Sequence, residues 1–199
     1  MRKWLVSMVA AAAVAMPAAA AAQAAPEGGK SGSAAAEFKY QVYLGASYTS
    51  LNQVNQSRYG MVGPSLELSR NFGRYFAVVA DGATFTHSIG GGNPGNPKVD
   101  LVLFGPELHG QVYENWGVFV RGWFGGEHTG GEGETPNISF AGGVGLGAEH
   151  VLRGGHWGIR ASGDDIGSSF SLRNNSTQLG NSPHLRWNAR GGIGIFYRF

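Results

Sequence analysis

The feature that most constrains the fold is a strict two-residue alternation near each end of the chain. From Phe38, the segment FKYQVYLGASYT places an apolar residue at every second position. The final segment, LRWNARGGIGIFYRF, repeats this pattern as far as Phe199. A period of two is typical of a β-strand with one apolar and one polar face. Both segments are long enough to supply the roughly 9–11 residues with which a tilted strand crosses a bilayer.

Six further candidate strands lie between these two segments, at residues 59–70, 75–86, 98–110, 116–125, 138–151 and 157–165. The connections alternate in length, because NFGR, VYEN and RGGH are tight turns whereas the others are long and polar. Short turns at one side and long loops at the other are typical of transmembrane β-barrels. Two central segments, FAVVADG and VDLVLFG, are apolar on both faces and would also suit the core of a soluble sandwich.

The first 24 residues predict a cleaved signal peptide. MRK is a short basic region, WLVSMVAAAAVAM is an apolar run, and AQA at 22–24 is a small-x-small cleavage site. An uncleaved membrane anchor is the alternative, which Pro17 and the lack of following stop-transfer charges disfavour. We expect residues 25–37 to form a flexible periplasmic lead-in and residues 38–199 to form the barrel.

The balance of charges argues against a nucleic-acid partner. The chain has 15 Lys and Arg against 13 Asp and Glu, but Arg2 and Lys3 belong to the predicted signal, which contains no acidic residue. The mature chain is therefore balanced, without the net basic charge that nucleic-acid binding uses. The chain has no cysteine, so neither a disulfide framework nor a lipoprotein anchor is available.

The charges within the strands indicate which face points inward. A basic side chain facing lipid at mid-membrane costs about 2–4 kcal/mol, so Arg121 is expected to face the interior with Phe119 and Trp123. The glycines of GVGLGA would leave room for these rings, and no helix pattern follows them as a dinucleotide-binding loop requires. Lys39 is a further candidate for the interior. The same argument predicts an interior charge network of Glu67, Asp81, Glu107, Arg121, Glu149, Arg160, Asp164 and Arg190.

The predicted size of the barrel bears on what this network does. Eight strands enclose a space that side chains just fill, and buried charges must be paired. We therefore expect a salt-bridged interior that plugs the lumen. A narrow pore for small solutes is the alternative.

Two other groups of polar residues could carry chemistry. His87 and Ser88 would suit a lipid-modifying hydrolase, but neighbouring residues of a strand point to opposite faces and no third group orients the histidine. The loop GEHTGGEGETP could bind a divalent cation, but its spacing matches no defined motif. The sequence therefore predicts no enzyme, no catalytic residue, no cofactor and no metal site. The residues that the loop would offer are Glu127, His128, Glu132 and Glu134.

With its predicted signal, its eight alternating strands and its terminal Phe199, the chain resembles the small eight-stranded outer-membrane β-barrel proteins, which include the OmpA-like transmembrane domain and the opacity-protein-like family. The resemblance covers residues 38–199 as architecture rather than as residue motifs. It implies an all-β, eight-stranded, antiparallel up-and-down transmembrane barrel in the bacterial outer membrane. It also implies a monomer that contacts outer-membrane lipids, with a structural or surface-interaction role and an unidentified ligand at its four surface loops.

The resemblance also implies a role for the end of the last strand. In that group, a terminal aromatic residue preceded by alternate apolar residues resembles the signal that the barrel-assembly machinery recognises. We therefore expect this machinery to be a partner during biogenesis. The corresponding positions in this chain are Ile193, Ile195, Tyr197 and Phe199.

Overall fold

The structure is a computed structural model that describes residues 38–52, 58–89, 96–132, 136–168 and 186–199. The predicted signal peptide at 1–24 and lead-in at 25–37 lie outside these ranges and stay predictions. No helix within the described ranges is both long and apolar enough to cross a membrane.

The regular elements of the described ranges are β-strands. The third and fourth strands flank Thr86 and both pair with the second, so together they occupy one position in the wall, and the wall has eight positions. The strands are β1 (Tyr40–Asn52), β2 (Arg58–Asn71), β3 (Phe76–Phe85), β4 (His87–Ile89), β5 (Asn96–Tyr113), β6 (Trp116–Glu132), β7 (Asn137–Val151), β8 (Trp157–Ser168) and β9 (Arg186–Arg198).

The sheet closes on itself. All neighbours are antiparallel, and β1 pairs both with β2 and with β9. A path that starts at Val42 of β1 and follows the paired residues from strand to strand around the wall returns to β1 at the level of Asn52. This offset of ten residues means that the strands are tilted relative to the barrel axis. The predicted eight-stranded antiparallel barrel is therefore confirmed. The soluble sandwich is wrong, because a sandwich consists of two separate sheets packed face to face.

Burial alternates along the strands as the sequence pattern requires. In β6, Phe119, Arg121 and Trp123 are buried, whereas Phe124 is exposed on the opposite face. The outer wall is apolar over most of its height, with Leu44, Val102 and Ile193 each about 60% exposed. A belt of this extent is rare on a soluble monomer and is typical of the lipid-facing wall of a barrel.

Aromatic side chains mark the end of the barrel where the short turns lie. The turns at 72–75, 114–115 and 152–156 all connect strands at this end. Rings of this kind form girdles at membrane interfaces because they combine an apolar body with a polar edge. The exposed rings at this end include Tyr40, Phe76, Trp116, Trp157 and Tyr197.

The structure differs from the predicted boundaries at the opposite end. β5 begins at Asn96 and β6 ends at Glu132; the two residues pair with each other and lie two and seven residues beyond the predicted limits of 98 and 125. The predicted limits followed the apolar pattern, whereas backbone pairing continues through the polar residues above the belt. The placement of Lys39 in the interior is wrong: this residue precedes β1 and is exposed, because the inward alternation begins with the strand itself.

Candidate functional site: the barrel interior

The eight residues predicted for the interior charge network all lie inside the barrel. They come from seven strands, and each is between 0% and 6% exposed. Because alternate residues of each strand face inward, these side chains share the inner face of the closed sheet. The stagger between strands sets the position of each one along the barrel axis. What joins them is a set of ion pairs between strands that are distant in sequence.

Arg121 occupies the middle of the network. Its Nε lies 2.9 Å from Oδ1 of Asp164 and its Nη2 lies 3.1 Å from Oδ2, so the two side chains form a bidentate pair. Its Nη1 donates to Oε1 of Glu67 at 2.8 Å. The indole of Trp123 donates to Asp164 at 2.9 Å, and the guanidinium carbon of Arg121 lies 4.5 Å from the centre of the Trp123 ring. These contacts fix the guanidinium in a single geometry.

Arg190 extends the network toward the long connections. Its Nε donates to Oδ2 of Asp164 at 2.9 Å, and its Nη1 pairs with Asp81. Asp164 is therefore shared between two guanidiniums. This sharing satisfies a carboxylate that would be costly to bury alone.

Arg160 extends the network toward the short turns. Its Nη2 pairs with Glu107, and its Nε lies 3.4 Å from Oε2 of Glu67. Its guanidinium carbon lies 3.7 Å from the centre of the Phe119 ring, a cation–π contact that covers the face of the cation. Arg160 therefore links carboxylates from two different strands.

Arg198 completes the network, and sequence reasoning missed it. The predicted network of eight charges does not contain this residue. In the structure it is buried, pairs with Glu149, and donates from Nε to Oε1 of Gln41 at 2.9 Å. Its alternation with Arg190 on the same strand is the signal that could have identified it. With Arg198, the network contains five carboxylates and four guanidiniums, and Nε2 of His109 lies 3.4 Å from Oε1 of Glu107.

Inward glycines provide the space that these large side chains occupy. A Cβ atom at Gly145 would lie 1.9 Å from Oδ1 of Asp164, and one at Gly147 would lie 2.2 Å from Cζ of Phe119. Both separations are far shorter than van der Waals contact. The glycines of GVGLGA therefore act in packing, as the sequence indicated.

A second, apolar layer fills the interior toward the long connections, and sequence reasoning did not identify it. Its signal was hidden in segments that are apolar on both faces, since alternation cannot then distinguish inward from outward residues. We call this cluster the apolar layer. Its members include Leu51, Met61, Phe85, Val99, Leu101 and Ile166, each 4% exposed or less.

The cation site considered for the loop GEHTGGEGETP does not assemble among the described side chains. Glu127 is buried inside the barrel, whereas His128 is on the outer face, where its Nδ1 lies 3.5 Å from Oδ2 of Asp100. The described residues contain no group of three or more side chains that could hold a metal ion. Glu134 and the side chains of Glu132, His87 and Ser88 lie outside what the structure describes.

Comparisons with known proteins identify the fold but no close relative. No protein-family model matches the chain, and neither does any curated protein sequence. The crystal structure of Neisserial surface protein A superposes with a TM-score of 0.62 at 9% identity, covering 80% of this chain and 97% of that protein. Ail, the attachment invasion locus protein of Yersinia pestis, gives 0.53 at 14% identity, with coverages of 81% and 99%. The outer-membrane protein OprG from Pseudomonas aeruginosa gives 0.52 at 12% identity, with coverages of 81% and 96%.

These similarities extend over nearly the whole of each solved protein, although few residues are identical. Common architecture without common motifs is what the alternating pattern of the sequence predicted. The chain therefore has the fold of the small eight-stranded outer-membrane β-barrel proteins, the group that its sequence resembles.

Proposed function

We propose that this chain is an integral outer-membrane barrel whose interior is plugged by side chains and whose role is structural or surface-interactive. The observation that carries the proposal is the burial and pairing of the interior charge network, in which every carboxylate and guanidinium is at most 6% exposed. The apolar layer lies across the same interior. A solute crossing the barrel would have to displace both.

The outer wall supports the membrane location. Its apolar belt, with aromatic rings at the short-turn end, matches the surface that a lipid bilayer solvates best. All eight wall positions are filled by one chain, so a monomer closes without a partner's strand. The proposed contacts of the outer wall are therefore with outer-membrane lipids.

The proposed role needs no catalytic group. Binding specificity in barrels of this kind would reside in the long connections, since rigid scaffolds carry recognition on their loops. Residues 53–57, 90–95, 133–135 and 169–185 of these connections lie outside the described ranges. We therefore propose only that the surface ligand binds at the end of the barrel where the long connections lie.

A conductance measurement tests the plug. The refolded protein in a planar bilayer is expected to show no stable ion-conducting openings, because any path would break buried pairs that cost about 3–5 kcal/mol each. The double variant Met61→Ala, Phe85→Ala thins the apolar layer and serves as the matched comparison, with leak currents expected to rise. Discrete, steady openings of the unmodified protein would contradict the plug and favour the narrow pore.

We also propose that the outward row formed by β9 and the residue after it is the signal for the barrel-assembly machinery. Ile193, Ile195, Tyr197 and Phe199 are each between 36% and 61% exposed, so their side chains are available on the outer wall. The ring of Phe199 stacks on Tyr40 of β1 with 5.8 Å between centroids. This stacking is a contact at the barrel surface and adds little to the interior.

Phe199→Ala tests this signal while it preserves the backbone hydrogen bonds that residue 199 makes with Tyr40. We expect a severalfold loss of folded protein in the membrane fraction of cells and unchanged refolding of the purified variant in detergent. Heat-modifiable gel mobility measures both. Tyr40→Ala removes the stacked ring from β1 and is the matched control, for which membrane levels should stay normal. Equal losses of folded protein for Phe199→Ala and Tyr40→Ala would contradict the assignment of this row as a signal. So would equal losses for Phe199→Ala in cells and in detergent.

A further inference from the structure

An acidic side chain on the outer wall departs from the apolar pattern of that surface. Asp164 and Asp165 are consecutive in β8, so the first faces the interior network and the second faces outward, where it is exposed. No hydrogen bond or ion pair joins the carboxylate of Asp165 to another described residue. Ionisable side chains facing lipid are costly, and they commonly mark sites of function.

Asp165 lies at one end of a groove in the outer wall. The groove encloses about 890 Å³ and crosses the strands from Phe76 on β3 to Ala189 on β9. Gly122 and Gly163 form its shallow floor, because neither has a side chain. Its volume lies in the range of small-molecule sites, and its remaining outward-facing lining is mainly apolar. The groove therefore suits a hydrocarbon chain with a polar group at the Asp165 end.

A cation completes the charge pattern at this end. Arg58 is exposed, and its Nη1 donates to Oγ of Ser50 at 3.5 Å. In the sheet, Ser50 lies opposite Ala189, which in turn lies opposite Asp165. These pairings place Arg58 and Asp165 at the same end of the outer wall, with only β9 between Ser50 and Asp165. The small side chain of Ala189 leaves the surface between the two charges open.

We propose that this groove binds a membrane lipid whose headgroup carries a phosphoethanolamine group. The ammonium would donate to Asp165, the phosphate would meet Arg58, and an acyl chain would lie along the groove. A purely anionic headgroup would be repelled by Asp165, and a quaternary ammonium could not donate a hydrogen bond to it. The inference rests on the proposed function, since it requires the outer wall to face lipid.

Lipid retention by the full-length refolded protein in native mass spectrometry tests the site. The probes are phosphatidylethanolamine, phosphatidylglycerol and phosphatidylcholine with identical acyl chains. We expect phosphatidylethanolamine to be retained about fivefold more than either other lipid, as one hydrogen-bonded ion pair would give. Asp165→Asn should remove this preference, and Gly163→Leu should lower retention of all three lipids.

The matched control is Gly82→Leu, which adds the same side chain on the outer wall outside the groove. A Cβ atom at either Gly163 or Gly82 meets nothing within 4 Å, so both variants should fold. Equal retention of the three lipids by the folded, unmodified protein would overturn the site. A dimer in which a second copy of the chain covers the groove and displaces lipid would also overturn it. Failure of the unmodified protein to insert into vesicles, measured by heat-modifiable mobility, would instead overturn the proposed function.

Discussion

Replacing Arg121 with methionine is expected to lower the free energy of unfolding by about 3–5 kcal/mol. Arg121 makes the bidentate pair with Asp164 and the 2.8 Å hydrogen bond to Glu67, and its side chain is wholly buried. Methionine fills most of the volume but leaves two buried carboxylates short of a cation. Urea unfolding of the refolded protein in detergent micelles, followed by tryptophan fluorescence, measures the change.

Two comparison variants separate the loss of a buried pair from the loss of an arginine. In Arg121→Met with Asp164→Asn, Glu67 keeps Arg160 and Arg190 keeps Asp81, so the loss should be much smaller. Arg70→Met removes an exposed guanidinium that lies over the Phe72 ring and should cost about 1 kcal/mol or less. An unchanged midpoint for Arg121→Met alone would mean that this side chain is hydrated, as in a water-filled pore.

Gly147→Ala is expected to destabilise the barrel by about 3 kcal/mol, which is large for the addition of one methyl group. The new Cβ would lie 2.2 Å from Cζ of Phe119 and 2.4 Å from the carbonyl oxygen of Ala161. The ring could move only by disturbing its cation–π contact with Arg160, and the carbonyl belongs to the neighbouring strand. The unfolding midpoint in urea and the yield of heat-modifiable protein both report the loss.

Gly163→Ala is the matched control for this change. Gly163 lies on β8, and a Cβ atom there meets nothing within 4 Å. Its midpoint should stay within about 0.5 kcal/mol of the unmodified value, the usual range of surface substitutions. Similar losses of stability for Gly147→Ala and Gly163→Ala would mean that the stiffer backbone of alanine, rather than the lack of space around Phe119, causes the destabilisation.

The strands and their inward faces were predictable because alternation and charge act locally. Arg121 could be directed inward from its own strand alone, because a charge facing lipid is costly. Its partner could not be identified in this way. Asp164 is 43 positions away, and the pair meets because Gly145 of β7 lies opposite both residues, an alignment set by the registers of β6 with β7 and of β7 with β8.

The apolar layer shows a different limit of the sequence. In VDLVLFG, Leu101 and Leu103 face inward while Val102 and Phe104 face outward, although all four are apolar. Within the same strand, Glu107 faces inward but Asp100 faces outward, so its own charges give conflicting signals, whereas Asp81 of the neighbouring strand lies opposite Leu103 and resolves them. A segment whose two faces have the same character therefore carries no local signal of its orientation.

The pairing of the first and last strands has a consequence for the order of folding events. Arg198 donates to Gln41 across 157 positions of the chain. Contacts between such distant segments form late, because the chain must first lose the entropy of the intervening loop. Until they form, two strand edges present unpaired backbone groups that a bilayer cannot satisfy. Insertion and closure should therefore occur as one cooperative event, and a half-inserted barrel should not persist as a resting state.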